Sequence, residues 1–442
     1  MNDQTGNENP LELARKFGRS IAGDIGAEAF LELELAYASG LLPRFSDNPL
    51  IRPRQNLLLY WDQSFLKTTL INESVKIIPE NLRTIDITAM SPQMIFGSIS
   101  EDRKFIIKPA FAGKRFATIT ELLSFIGTGN TMRDIVNTMN KVMEGEVVTR
   151  QLLKLGQDSF DQVQIEKLKQ QEVYYDPRQA QLSYKPDICV LAASRPLDNR
   201  TYTYLRQSGH LYRYHVLQHE ITDEEARRYF TENYHPDLAL QNQLKMLNDK
   251  LARIAKKEIQ SPPKPIMDKI VAPLEEIVRD EAEKQRLAEI IDIRTKGDIL
   301  REITAHAFIR TATETEFRAV ERLDYVDADI EFILQRLGHF VEFKINPLFV
   351  EEWTAPRTIK RRPRDQVKQL ILGLLSDGEI KQRKEIDEYI DDGIEVGHAT
   401  ISNALDDLLR EHRICQPKYG FYKLKEDCTT CNQRASCRWV AI

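Results

Sequence analysis

Long hydrophobic runs are missing from this 442-residue chain. No stretch approaches the roughly 18 apolar residues of a membrane span, which excludes a helical integral membrane protein. A basic surplus is missing too: 62 Lys and Arg stand against 67 Asp and Glu, a net charge of -5. A chain coated in positive surface is therefore excluded, whereas a local basic face is not. Cysteine is almost absent before the last stretch, where Cys415, Cys428, Cys431 and Cys437 follow the lone Cys189 of the apolar run DICVLAAS. That distribution excludes a disulfide framework across the fold and favours metal binding by the cluster. The start, MNDQTGNENP, lacks a basic-then-apolar signal and points to a cytoplasmic protein.

What is there is globular: 42% hydrophobic and 29% charged residues. The length predicts two to four domains at about 150 residues each. Residues 1–50 read as two short helices, LELARKFGRSIAG and AEAFLELELAYASGLL. From 51 to 230 short apolar or β-branched runs (LLLY, RTIDIT, KFIIKP, RFATIT, DICVLAA) alternate with helical ones, which predicts a largely parallel sheet covered by helices. Residues 231–350 are helical, broken at QSPPKP, and imply a separate helical subdomain. The run TAPRTIKRRPRD marks a basic linker over 351–364, and 365–424 read as three helices and a β-hairpin, the order of a winged helix-turn-helix. A Cys-rich tail, 425–442, closes the sequence.

Glycine is also scarce where chemistry would want it. LLLYWDQSFLKTTL, residues 57–70, has the strand–loop–helix plan of a phosphate-binding loop, with Lys67 to neutralise phosphate and Thr68 to hold Mg²⁺. The usual glycines are absent, and a side chain at a positive-φ loop position costs about 1–3 kcal/mol unless the loop is rebuilt. Downstream, RFATITELLSF ends a β-type run in Thr120-Glu121, where an ATPase has Asp-Glu: one residue for the Mg²⁺ shell, one to orient the attacking water. A surface Lys at a helix start is the plain alternative.

The order of these parts resembles the ATPase core of the minichromosome maintenance (MCM) helicases, a branch of the AAA+ ATPases, over about residues 50–345 and again in the C-terminal winged helix. Against that family's GDPGxAKS, WDQSFLKT keeps Asp62 and Lys67, replaces Ser by Thr68, and loses glycines at Trp61 and Ser64. The resemblance makes Glu121 the Walker B glutamate with Thr120 in place of the aspartate. It places Arg195 of LAASRP where sensor 1 has asparagine, Arg213 of LYRYHV as an arginine finger serving a neighbouring subunit, and Arg294 as sensor 2 in a helical lid. It implies an AAA+ type α/β P-loop core that binds ATP and Mg²⁺ between subunits of a homo-oligomeric ring. Such a protein would act on DNA as a helicase, translocase, or replication or mobile-element factor with partner proteins of that kind. The N-terminal 50 residues cannot hold the family's DNA-encircling domain. The degenerate motifs leave open a catalytically inactive DNA-binding or assembly protein.

In a winged helix the third helix enters the major groove. On HATISNALDDLLREH, Ile401, Ala404, Leu405 and Leu408 form the core stripe, leaving Thr400, Ser402 and Asn403 toward DNA. Lys418 on the wing and Lys360, Arg361, Arg362 and Arg364 of the linker supply phosphate contacts. Asp406, Asp407 and Glu411 keep a protein-binding reading open. In the tail, C-x2-C-x5-C with Cys415 completes a four-thiolate set for Zn²⁺, or for an iron–sulfur cluster. His210, His215 and His219 have no ligand spacing and read as packing or surface residues, and Cys189 as a buried small residue.

Overall fold

In chain order the first half begins with α1 (Pro10–Leu41), β1 (Leu57–Tyr60), α2 (Lys67–Ile77), β2 (Arg83–Asp86), α3 (Pro92–Phe96), β3 (Ser98–Ile99), β4 (Ile106–Ile107) and β5 (Phe116–Ile119). It continues through α4 (Leu122–Ile126), α5 (Gly129–Glu144), β6 (Val148–Gln151), α6 (Gln162–Lys169), β7 (Val173–Asp176), β8 (Gln181–Tyr184), β9 (Cys189–Ser194), α7 (Asn199–Gln207) and β10 (His215–Gln218). Helices follow: α8 (Asp223–Thr231), α9 (Leu238–Arg253), α10 (Lys264–Glu281), α11 (Ile293–Glu314), α12 (Asp327–Leu334) and α13 (Leu337–Ile345). The computed structural model describes residues 9–48, 52–62, 66–99, 106–127, 129–152, 162–232, 234–254, 259–281, 291–318, 320, 322–348, 363–393, 398–411, 413–418 and 420–424. The chain divides into two units, 1–350 and 351–442. Among the described residues no helix is long and apolar enough to cross a membrane.

The expected parallel sheet is present, with five strands in the order β10-β1-β9-β5-β2. Its central strands β1, β5 and β9 are buried along their whole length because helices cover both faces. Alternation assigns each residue to one core: Leu57, Leu59, Phe116, Cys189, Leu191 and Leu217 face α1, α2, α9 and α11, while Leu58, Tyr60, Ala117, Val190, Ala192 and Val216 face α3, α4, α5 and α7. KFIIKP does not join this sheet: Ile106–Ile107 pairs antiparallel with Ser98–Ile99 alone. A second small antiparallel sheet has the order β6-β8-β7.

The two N-terminal helices meet at a break inside α1, where Ala22 and Gly23 leave helical geometry. There the halves touch backbone to backbone: a Cβ on Gly26 would lie 2.1 Å from the Gly18 carbonyl oxygen. Only glycine at both positions permits that approach. α9 and α11 share their core with α1 and the sheet, whereas α10, α12 and α13 gather around Ile299 and Ile303.

The second unit contains α14 (Pro363–Leu374), a 3₁₀ turn (Leu375–Asp377), β11 (Lys381–Gln382), α15 (Arg383–Gly393), α16 (His398–Arg410), β12 (Ile414–Lys418) and β13 (Phe421–Leu424). The expected hairpin β12–β13 is joined by β11 in an antiparallel sheet of order β11-β13-β12. Ile401, Ala404, Leu405 and Leu408 pack inward against Val367, Ile371, Ile386 and Ile390, the stripe read from the sequence.

Candidate functional site

Helix α2, which follows β1, covers one face of the sheet, and α7, which follows β9, covers the other. β1 and β9 are adjacent, with Tyr60 opposite Ser194. Their exits therefore part to opposite faces, which makes the carboxyl ends of the two strands the sheet's topological switch point. In open α/β sheets such a switch point is where ligands bind. Asp62, Lys67, Thr68, Thr120, Glu121 and Arg195 all belong to segments leaving this edge.

The loop is rebuilt rather than strained at its tryptophan. Trp61 is fully buried in the α2-side core. Among the described residues of the loop the positive φ falls on Leu66 instead, at 56°. A left-handed leucine costs roughly 1–2 kcal/mol, and it starts α2 with no side-chain cap. The first N–H groups of α2 therefore point toward the edge with a partial positive charge. Ser64 lies outside the described residues.

Lys67 is 7% exposed, and its Nζ donates to the Trp61 oxygen at 2.6 Å and the Asp62 oxygen at 2.5 Å. Burial pushes the ammonium down to about 8, against the opposing pull of Glu121 and Asp62. Phosphate binding has to exchange those two carbonyls for phosphate oxygens. Asp62, Thr68 and Arg195 are exposed. Glu121 is the N-cap of α4 and accepts from the Leu123 N–H at 3.3 Å.

Thr120 brings no charge, but a carboxylate stands beside it. Its Oγ1 donates to Asp86 Oδ2 at 2.7 Å, and its N–H donates to Thr88 Oγ1 at 2.8 Å. Asp86 ends β2, the edge strand paired with β5. It puts a carboxylate on the Thr120 hydroxyl, where the sequence offers only a threonine. Its only sequence signal is a position at a strand's carboxyl end.

Arg213 and Arg294 are brought together, away from Lys67. Arg213 precedes β10 and so lies at the amino edge of the sheet. Arg213 Nη2 meets Glu144 Oε1 at 2.6 Å and Arg294 Nη2 meets the same oxygen at 3.7 Å. Both arginines also donate to the Gly209 carbonyl, at 2.5 and 3.0 Å. Within one chain they do not serve the Lys67 loop.

His215 is neither surface nor plain packing. With Glu32 and Glu302 it forms the one group among the described residues whose ligand-type atoms lie within 4.8 Å of one another and could hold a metal ion. Arg336 bonds to both carboxylates, through Nε to Glu302 at 2.9 Å and through Nη2 to Glu32. Burial alone would lower His215, but Glu32, Glu302 and Asp298 overcome it and raise it to about 9. Arg336 and His215 oppose the two carboxylates, burial and Glu32 raise Glu302, and Glu28 adds a third carboxylate on Arg336 at 3.1 Å. The signal missed was two glutamates on otherwise apolar helix faces.

In the second unit, Thr400 is partly exposed and Asn403 exposed on α16. Ser402 is engaged: it accepts from Arg383 Nη2 at 3.1 Å and donates to the His398 carbonyl at 3.0 Å. Lys418 is exposed, its Nζ 5.5 Å from the Phe421 ring centroid. Arg364 lies in the first turn of α14. Lys360, Arg361, Arg362, Cys428, Cys431 and Cys437 lie outside the described residues, and Cys415, on β12, is partly buried. Compared with known proteins, the chain matches no family model and no curated relative.

Proposed function

We propose that the chain is an MCM-like AAA+ protein that binds ATP with Mg²⁺ at the carboxyl edge of its parallel sheet and acts on DNA. One observation carries the reading: Lys67 and Thr68 follow β1 and Thr120 and Glu121 follow β5, both at the carboxyl edge of one sheet, beside a helix N-terminus with no side-chain cap. Lys67 and the α2 N–H groups would hold phosphate, Thr68 and the Asp86–Thr120 pair would hold the metal's shell, and Glu121 would orient water. Arg213 and Arg294, at the opposite edge, would reach the nucleotide of a neighbouring copy in a ring. The second unit would act as a winged helix, with Thr400, Asn403, Lys418 and the Lys360–Arg364 linker toward DNA. Cys415 and the tail cysteines would hold zinc or an iron–sulfur cluster.

A second reading is favoured by a specific feature: Lys67 is bonded to its own loop and Glu121 to its own helix. Under it the protein binds nucleotide and DNA as an assembly factor and does not turn ATP over. ATP binding and hydrolysis, with and without DNA, separate the two in wild type, Lys67→Ala and Glu121→Gln. The motor reading requires a DNA-stimulated rate that both variants lose, and binding lost only in Lys67→Ala without wild-type turnover favours the second. If Lys67→Ala leaves ATP affinity unchanged, the carboxyl-edge site is wrong.

A further inference from the structure

A cavity of about 590 Å³ opens at the amino edge of the sheet, the edge opposite Lys67. It is lined by Arg44, Arg52, Arg54, Arg213, Arg294 and Arg301, with Lys185 at the side. Against these seven cations the lining offers two carboxylates, Glu144 and Glu146. Asp187, just behind, is shared by Arg52, Arg54 and Arg115. One carboxylate cannot satisfy three guanidinium groups.

Several donors in the cavity are left without partners. Arg52 is 8% exposed, and its Nε, like that of Arg213, is buried and unbonded. Burial, with the nearby charges of Arg44 and Arg301, draws Arg52 down to about 10. Gly145 leaves the room that Arg52 occupies, since a Cβ there would lie 2.2 Å from Arg52 Nη1. Arg301 is fixed by Asp298 at 2.6 Å and by the Arg52 carbonyl at 3.0 Å, which orients its fork. A repelling set of oriented guanidinium groups in a concave site is relieved by a compact polyanion, and phosphate oxygens match the guanidinium fork two at a time. The volume is that of a small-ligand site; a nucleic-acid backbone would need an extended face instead.

We propose that this cavity is a phosphate-binding site of its own, which takes a di- or triphosphate group. Its ligand is free pyrophosphate or the phosphate chain of a free nucleotide, separate from the neighbouring copy's nucleotide that Arg213 and Arg294 would reach under the proposed function. The site does not depend on the Lys67 loop: β1 alone, between the two edges, spans roughly 13 Å.

Arg44 and Lys185 are exposed and have no ion-pair partner among the described residues, so replacing them spares the fold. Pyrophosphate is titrated calorimetrically into the full chain as wild type, Lys67→Ala, and the double variant Arg44→Gln/Lys185→Gln, with melting temperature as the control. Lys67→Ala should keep a pyrophosphate isotherm, and the double variant should weaken it about tenfold at an unchanged melting temperature. Binding that persists on dilution to the monomer assigns the site to free ligand. If pyrophosphate does not bind and the double variant lowers ATP affinity in the assembled protein alone, the neighbour carries the phosphate and the proposal of an independent site fails. If pyrophosphate and ATP binding are both indifferent to the double variant, or pyrophosphate binding vanishes in Lys67→Ala, or duplex DNA alone responds to the double variant, the proposal fails. Loss of the nucleotide reading of the carboxyl edge leaves the Lys67→Ala pyrophosphate result standing, so the two failures are distinguishable.

Discussion

Raising the pH should unlock the buried ionic cluster around His215. In the fold the imidazole keeps its proton up to about 9, whereas an unperturbed histidine releases it at 6.5. A raised folded value stabilises the native state fully below the unfolded value, and the benefit is lost as the pH climbs through the folded one. The shift corresponds to roughly 2–3 kcal/mol at pH 7 and to almost nothing at pH 10. Lys67 works the other way. Its ammonium is pushed down to about 8 from 10.5, so the unfolded chain binds more protons in between and stability rises over that window. The wild-type slope therefore mixes two opposing effects of similar size, and the useful quantity is a difference between chains. Urea unfolding of wild type and His215→Gln at pH 7 and pH 10 should show the stability gap narrowing by roughly 2–3 kcal/mol. A gap constant to within about 0.5 kcal/mol, the usual error of such differences, refutes a protonated His215 in the cluster. The matching experiment with Lys67→Met should shift the gap in the opposite direction.

Gly26→Ala should destabilise the first unit by about 3 kcal/mol, because its methyl group meets the Gly18 backbone 2.1 Å away and neither helix half can yield cheaply; urea titration measures it. Elemental analysis of the purified full chain should find about one zinc per chain, or about two or four irons for a cluster, lost in Cys428→Ser, and absence of both metals in the wild type removes the tail site.

Local pattern made the sheet legible. Runs such as LLLY, RFATIT and DICVLAA are apolar at successive positions because each strand is covered on both faces, and the same covering gives the sheet its parallel character. KFIIKP carries the same texture and pairs elsewhere, since two apolar residues between polar neighbours do not specify which edge they join. The core stripe of α16 was readable for the same reason as the strands: burial with a fixed period. The sites depend on appositions that no local pattern encodes. Asp86 reaches Thr120 only because β2 and β5 are neighbours in the sheet, although 34 residues separate the two. The cavity arginines come from segments before β1 and β10 and from α11, and Glu32, His215 and Glu302 come from three elements. Trp61 looked like a damaged glycine position, yet it is a core residue around which the loop turns, with the left-handed step moved to Leu66.

The self-bonded Lys67 offers the sharpest test of whether the altered loop still meets phosphate. Its ammonium, at about 8, is charged in most molecules at pH 7 and in few at pH 10. Bound phosphate would draw that value upward, since an adjacent opposite charge favours the protonated form. Binding must then be accompanied by proton uptake above pH 8, and affinity should fall by up to about tenfold for each further pH unit. Lys67→Arg keeps its charge throughout this range and should bind with a flat profile. Measuring MgATP affinity from pH 7 to pH 10 in the Arg44→Gln/Lys185→Gln background reduces the contribution of the amino-edge cavity, and the difference between Lys67 and its arginine variant isolates the carboxyl edge. A wild-type Lys67 profile as flat as that of the arginine variant would mean that the ammonium never leaves the Trp61 and Asp62 carbonyls for a phosphate oxygen, and that the loop keeps the outline of a phosphate site without its contact.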